Sequence, residues 1–98
     1  MDTYVIRRKN AWKTPEELQA TAARSKQIGD EEMSADVRWI RSYVVHEDDG
    51  TLGTVCIYQA TSADALREHA ARVGMPADLI SPVADTVVVR PDPVAAGV

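Results

Sequence analysis

The sequence predicts an α+β fold in which two helices and four strands follow one another in the order βαββαβ. Three observations carry this prediction: a capped helix start at Thr14, a strand-turn-strand pattern over 37–60, and a second helix that ends at Gly74. The order is typical of the ferredoxin-like fold, a four-stranded antiparallel sheet with both helices on one face. A chain of 98 residues is the size of one domain. We therefore predict a single domain over 1–90 and a flexible C-terminal tail over 91–98.

The first strand and the first helix are predicted from a β-type run and a helix start signal. Residues 4–8 (YVIRR) form the short β-type run. Thr14 can cap the helix, Pro15 takes the first helical position, and Glu17 lies three residues after the cap, as in a capping box. The end of this helix is left open between a stop at Gly29 and a continuation beyond it.

The remaining elements are a hairpin, a second helix and a last strand. The hairpin pairs β-rich segments 37–45 and 54–60 across an acidic turn at 47–51. The second helix spans 61–74, with a Thr-Ser start and a glycine end. A fourth strand is predicted over 83–90, because three consecutive valines favour β structure there.

Composition excludes several classes of function. The chain has 11 Lys and Arg against 15 Asp and Glu, a net charge of −4, so it lacks the clustered cation that nucleic acid requires. No run of about 18 apolar residues is present, so we expect no membrane partner. The start resembles no secretion signal and Cys56 is the single cysteine, which predicts a cytoplasmic location. Nucleotide-binding and hydrolase motifs are also absent.

Strand alternation sorts the hairpin side chains into two predicted faces. The aliphatic face suits the helix-covered core and holds Ile40, Val44, Val55 and Ile57. The other face combines aromatic, basic and thiol groups, and we predict that it lines a ligand cavity on the open side of the sheet: Trp39, Arg41, Tyr43, Cys56 and Tyr58. An open face of this kind favours a homodimer with sheets packed together, a dimeric α+β barrel. The pattern fits an interface alone as well as an interface that encloses a cavity.

His69 is the candidate metal ligand. It lies three residues after Leu66, on or beside the buried face of the second helix. Such a histidine is either a hydrogen-bonded packing residue or a ligand whose partners are supplied by folding. The other donor-rich segment, 46–49 (HEDD), lacks calcium-loop spacing and is typical of a solvated turn. Cys56 is expected to be a small buried apolar residue unless His69 lies close enough to act as its base.

An ordered set of segments resembles a small family of single-domain proteins described as nickel-binding and otherwise of unknown function. The resemblance reaches from Tyr4 to Val83. The matching segments are 39–44 (WIRSYV), 55–60 (VCIYQA), 67–70 (REHA), 74–80 (GMPADLI) and, more loosely, 14–18 (TPEEL). It implies a ferredoxin-like fold, a homodimer with its sheets face to face, and binding of divalent nickel. The positions that carry over are Tyr43, Cys56, Tyr58 and His69.

Two main functions follow as hypotheses. The first is a cytoplasmic homodimeric nickel-responsive protein that holds the metal through His69 with carboxylates or water. The alternative is a small cofactor-free enzyme or carrier of the dimeric α+β barrel type, such as a monooxygenase, isomerase or cyclase. In that alternative Trp39 and Tyr58 stack on an aromatic molecule, Arg41 holds its anion, and Tyr43 or His69 moves a proton. An interaction module with neither ligand is the third hypothesis.

Overall fold

A computed structural model describes residues 1–93 and confirms the predicted βαββαβ order and the ferredoxin-like arrangement. Its strands form one antiparallel sheet in the order β2-β3-β1-β4. Of the predicted tail, residues 94–98 lie outside the described residues. The elements are β1 (Asp2–Trp12), α1 (Pro15–Glu31), β2 (Val37–His46), β3 (Leu52–Ala60), α2 (Ala63–Val73) and β4 (Leu79–Pro82).

Both helices begin and end through local side-chain and backbone signals. The Thr14 hydroxyl accepts a hydrogen bond from the Glu17 amide at 3.2 Å, and Pro15 opens α1. The helix continues through Gly29 to Glu31, which answers the question that the sequence left open. At α2, the Ser62 hydroxyl caps the start and Gly74 ends the helix with φ 86°. Glycine tolerates this left-handed conformation because it has no Cβ.

The core lies between the helices and one face of the two central strands. Tyr4 and Ile6 of β1 stand opposite Tyr58 and Cys56 of β3, and all four are buried. Leu66 of α2 packs into the same cluster and is fully buried. The helix-covered face is therefore built from even-numbered residues of β1 and β3, and the odd-numbered residues face the open side.

The predicted fourth strand over 83–90 is wrong in position. The strand that pairs with β1 is β4, Leu79–Pro82, where Tyr4 lies opposite Pro82. The Val83 amide adds one more hydrogen bond, to the carbonyl oxygen of Thr3 at 2.9 Å. Because antiparallel pairing runs toward the start of β1, residues 85–93 have no partner strand, whatever their β propensity.

The segment 83–92 instead passes over the open face of the sheet. A groove of about 820 Å³ separates it from side chains of β1, β2 and β3. Its Asp92 carboxylate pairs with the Arg41 guanidinium and accepts a hydrogen bond from the Tyr43 hydroxyl at 2.7 Å. The valines at 87–89 point to solvent, with exposed fractions of 73–88%.

A register shift in β2 corrects the predicted faces. Trp39 lies opposite Tyr58 but Arg41 lies opposite Ile57, so Ile40 is an extra residue between them. A bulge of this kind reverses the alternation along the strand. Trp39 consequently points to the helix side, whereas Arg41 points to the open side.

The predicted core set is corrected by the same observations. Of its four aliphatic residues, two are exposed and two are only half-buried, and none belongs to the buried cluster: Ile40, Val44, Val55 and Ile57. The buried residues of β3 include Cys56 and Tyr58, which the sequence placed on the open face. The physical reason is that a large tyrosine with a hydrogen-bonded hydroxyl fills the space under α1.

Candidate functional site

The five predicted cavity residues occupy two sides of the sheet. Cys56 and Tyr58 are buried under the helices, and Trp39 stacks on Tyr58 with ring centroids 6.1 Å apart. Arg41 and Tyr43 meet Asp92 above the open face. The Tyr43 hydroxyl and the Arg41 guanidinium lower the pKa of Asp92, which keeps this carboxylate ionised. The prediction that all five share one face is therefore wrong.

The helix side carries a cleft of about 510 Å³ between α1 and strands β1, β2 and β3. Such a volume is typical of small-molecule sites. Apolar and aromatic side chains form most of its walls, including Trp12, Leu18, Trp39 and Val44. Its floor is polar, because Arg8, Thr54 and Cys56 also line it and are each less than 5% exposed.

Arg8 is the largest polar group in the floor. Its Nε donates a hydrogen bond to the carbonyl oxygen of Pro76 at 2.7 Å, and Nη1 lies 3.2 Å from the Cys56 sulfur. The guanidinium also lies 6.0 Å from the centre of the Tyr58 ring. Nη2 has no hydrogen-bond partner, and no described carboxylate forms an ion pair with Arg8.

Arg8 and Thr54 are not among the site residues predicted from the sequence. A signal for Arg8 was present, because alternation from Tyr4 and Ile6 places it on the same face of β1. A basic residue at the end of a buried alternating run indicates a polar floor rather than a solvated edge. Thr54 follows from pairing, since it lies directly opposite Arg8.

His69 lies in the interior, between the two helices and the sheet. Its Nε2 is 3.0 Å from the carbonyl oxygen of Ser25, so Nε2 carries the proton and Nδ1 is left with a lone pair. Nδ1 is buried and has no partner among the described residues. Burial lowers the pKa of His69, and the nearby charges of Arg8 and Arg72 lower it further.

A complete metal centre is not assembled by these residues. Among residues 1–93, no three His, Cys, Asp or Glu side chains come together. In the acidic loop, both Glu47 oxygens bind Arg7, and Asp49 accepts hydrogen bonds from Thr51. A small cavity of about 160 Å³ is lined by both His69 and Asp30. The lining of this cavity thus contains one imidazole and one carboxylate, two of the groups that bind metals. Further ligands would have to be supplied for a complete site.

The buried imidazole predicts a loss of stability in mild acid. Unfolded His69 takes up a proton near pH 6.5, whereas the folded form, whose pKa is lowered, does so only at lower pH. Between these values the unfolded state binds more protons, so the free energy of unfolding falls as the pH drops and levels off below the folded pKa. Urea unfolding across this range should show a weaker pH slope for His69→Gln than for the wild type. The exposed histidine provides the control, and His46→Gln should keep the wild-type slope. Equal slopes in all three proteins would contradict this account.

The fold and its buried polar residues define a small ferredoxin-like α+β protein with a helix-side cleft. A family model described as "Nickel responsive protein SCO4226-like" matches residues 4–83. Since this match covers most of the chain, the protein belongs to the SCO4226-like family of nickel-responsive proteins. No curated protein matches the chain.

One solved structure shares the fold. It is titled "Crystal structure analysis of SCO4226 from Streptomyces coelicolor A3(2)", with a TM-score of 0.67 and 19% sequence identity. The match covers 87% of this chain and 99% of that one. At this identity the likeness shows the fold alone. In the described part of the chain, neither helix is long and apolar enough to cross a membrane.

Proposed function

We propose that this chain is a cytoplasmic, homodimeric, nickel-responsive metal-binding protein in which His69 supplies a nitrogen ligand. The observation that carries the proposal is the imidazole geometry: Nε2 donates a hydrogen bond to the Ser25 carbonyl oxygen, and Nδ1 has no partner within residues 1–93. Histidine ligands are commonly oriented through a hydrogen bond from the other ring nitrogen to a carbonyl or carboxylate. Family membership supports nickel as the metal.

The electrostatics of His69 suit a ligand. A metal binds the neutral imidazole, and burial with the charges of Arg8 and Arg72 keeps this ring neutral at pH 7. Asp30 lines the same small cavity, although its carboxylate is 2.7 Å from Lys26 Nζ. Octahedral nickel accepts imidazole, carboxylate and water, so water or a second copy would complete the coordination.

The open face supports the homodimer. Arg41, Tyr43 and the exposed valines at 87–89 place aromatic, basic and apolar groups on one side of the sheet. Tyrosine and arginine are enriched in protein interfaces, and exposed consecutive valines favour a covering partner. A second copy, sheet toward sheet, would cover segment 83–92 of both chains. The single cysteine, Cys56, agrees with a reducing cytoplasm.

Calorimetric titration with nickel tests the ligand assignment. We expect saturable uptake by the wild type, loss of that uptake in His69→Gln, and wild-type uptake in the control His46→Gln. His69→Gln also perturbs the core. We therefore add a second variant at an exposed position, Asp30→Asn, which should weaken nickel binding. Uptake that survives His69→Gln, or disappears in His46→Gln, would overturn the role of His69. No uptake by the wild type would overturn nickel binding altogether.

The enzyme alternative gains no support from the comparisons. Its proposed lining is divided between the two faces of the sheet, with Trp39, Cys56 and Tyr58 on the helix side. Burial raises the pKa of Tyr58, so its hydroxyl stays protonated and bound to Ser25. A proton-transfer role on the open face would fall to Tyr43 alone, whose hydroxyl is engaged by Asp92.

A further inference from the structure

The floor of the helix-side cleft holds a positive charge that nothing in the described chain neutralises. Arg8 is 1% exposed, and no group in the described part of the chain forms a hydrogen bond with its Nη2. Buried charges in proteins are ordinarily paired, because removing an ion from water is unfavourable unless a partner compensates for its lost hydration. A guanidinium without an ion-pair partner in a cavity wall is therefore a position where a bound anion would be stabilised.

A second unpartnered donor lies beside it. Thr54 is 3% exposed and lies opposite Arg8 in the pairing of β1 with β3, and its hydroxyl has no hydrogen-bond partner among residues 1–93. Both side chains line the same cleft. A guanidinium N–H and a hydroxyl together match the two oxygens of one carboxylate.

We propose that the helix-side cleft binds a small aromatic monocarboxylate, held at its anionic end by Arg8 Nη2 and Thr54 Oγ1. The cleft walls indicate the chemistry of the remainder of the ligand. They are mostly apolar and carry Trp12 and Trp39, while Tyr58 lies behind them in the floor. Flat aromatic surfaces of this kind pack well against a planar ring. A cleft of about 510 Å³ accepts a one- or two-ring compound and leaves room for its carboxylate.

The ligand also accounts for two polar atoms, Arg8 Nη2 and Thr54 Oγ1, that are buried without a partner in the described chain. A buried hydroxyl without a partner is destabilising, so Thr54→Val should leave the free energy of unfolding unchanged or raise it. The same change should weaken binding, because a hydrogen bond to the carboxylate is lost. A variant that is at least as stable as the wild type but binds more weakly would show that Thr54 serves ligand binding and not stability.

The probe is phenylacetate, and its uncharged isostere phenylacetamide is the control compound. Both tryptophans of the chain line the cleft, so their two indole N–H signals in a ¹⁵N–¹H spectrum report on it directly. We expect phenylacetate to shift both signals with saturation at one equivalent per chain. Phenylacetamide should bind at least about tenfold more weakly, since charge-assisted hydrogen bonds are lost.

Two substitutions test which residues bind the carboxylate of the ligand. Arg8→Met should abolish saturable binding, and Thr54→Val should weaken it about tenfold. The control is Arg67→Gln. Arg67 is an exposed arginine on α2 that pairs with Asp64 and does not line the cleft, so this variant should bind phenylacetate as the wild type does. Thr54→Val keeps the test informative should Arg8→Met fail to fold.

Four results would overturn the proposal. They are equal binding of phenylacetate and phenylacetamide, wild-type binding by Thr54→Val or by a folded Arg8→Met, no saturable shift with phenylacetate, and an ionised Cys56 in the free protein. The last would appear as thiolate ultraviolet absorbance at neutral pH that disappears in Cys56→Ser. It would make the sulfur, 3.2 Å from Arg8 Nη1, the counterion of the guanidinium. Nickel uptake does not enter these readouts, so this proposal can fail while the metal-binding proposal stands.

Discussion

Gly53→Ala is expected to destabilise the fold by about 2 kcal/mol or more, because no space exists for a side chain there. A Cβ at this buried position would lie 2.6 Å from the Arg8 carbonyl oxygen and 2.7 Å from Arg7 Nη1. It would also collide with the Glu47 carboxylate. Thermal unfolding followed by circular dichroism should show a midpoint lowered by about 10 °C.

The collision would disrupt a network that holds the β2–β3 hairpin against β1. The Arg7 guanidinium donates to both Glu47 oxygens, at 2.8 and 3.0 Å, and the Asn10 amide donates to one of them at 2.7 Å. The hydrogen bonds from Arg7 and Asn10 lower the pKa of Glu47, so the network contributes stability at neutral pH that is lost as Glu47 becomes protonated in acid.

Gly29→Ala is the matched control, with the opposite sign expected. Gly29 lies within α1, and a Cβ there would meet His69 Nε2 at 3.5 Å, an ordinary contact. Alanine in a helix interior is favoured over glycine by about 0.5–1 kcal/mol, so this variant should be more stable than the wild type. A Gly53→Ala protein as stable as Gly29→Ala would contradict the packing described around the hairpin.

Leu66→Ala is expected to lower the free energy of unfolding by about 3 kcal/mol. Leu66 is fully buried and joins α2 to the central strands, so its truncation leaves a cavity in the only core that the described chain contains. Urea unfolding should show a lower midpoint with an unchanged slope. Leu79→Ala in edge strand β4 is the control, since Leu79 is 54% exposed and should change stability by about 0.5 kcal/mol or less. Equal losses in the two variants would place the core elsewhere.

Much of the fold could be predicted because its signals are local. The cap at Thr14, the first-turn Pro15 and the left-handed Gly74 act within a few residues of chain, and each lies where the sequence placed it. The last strand could not be placed this way. Its position depends on where β1 begins, so the valines at 87–89 lack a partner strand despite their β propensity.

The candidate site depended on one non-local feature. Alternation through β2 is broken at Ile40, and that single extra residue moves Trp39 to the helix side and leaves Arg41 on the open side. No residue type marks such a bulge in the sequence. Tyr58 was also predicted on the wrong face of the sheet. The sequence pattern is the same for a buried tyrosine that is hydrogen-bonded to Ser25 and for an exposed tyrosine.

Native mass spectrometry of the protein without a tag, titrated with nickel, zinc and cobalt, tests the central claim most directly. We expect a dimer that takes up nickel at a defined stoichiometry, in preference to the other two metals, and that loses it when His69 is replaced by glutamine. A dimer that stays free of metal, or a monomer that binds all three metals alike, would contradict it.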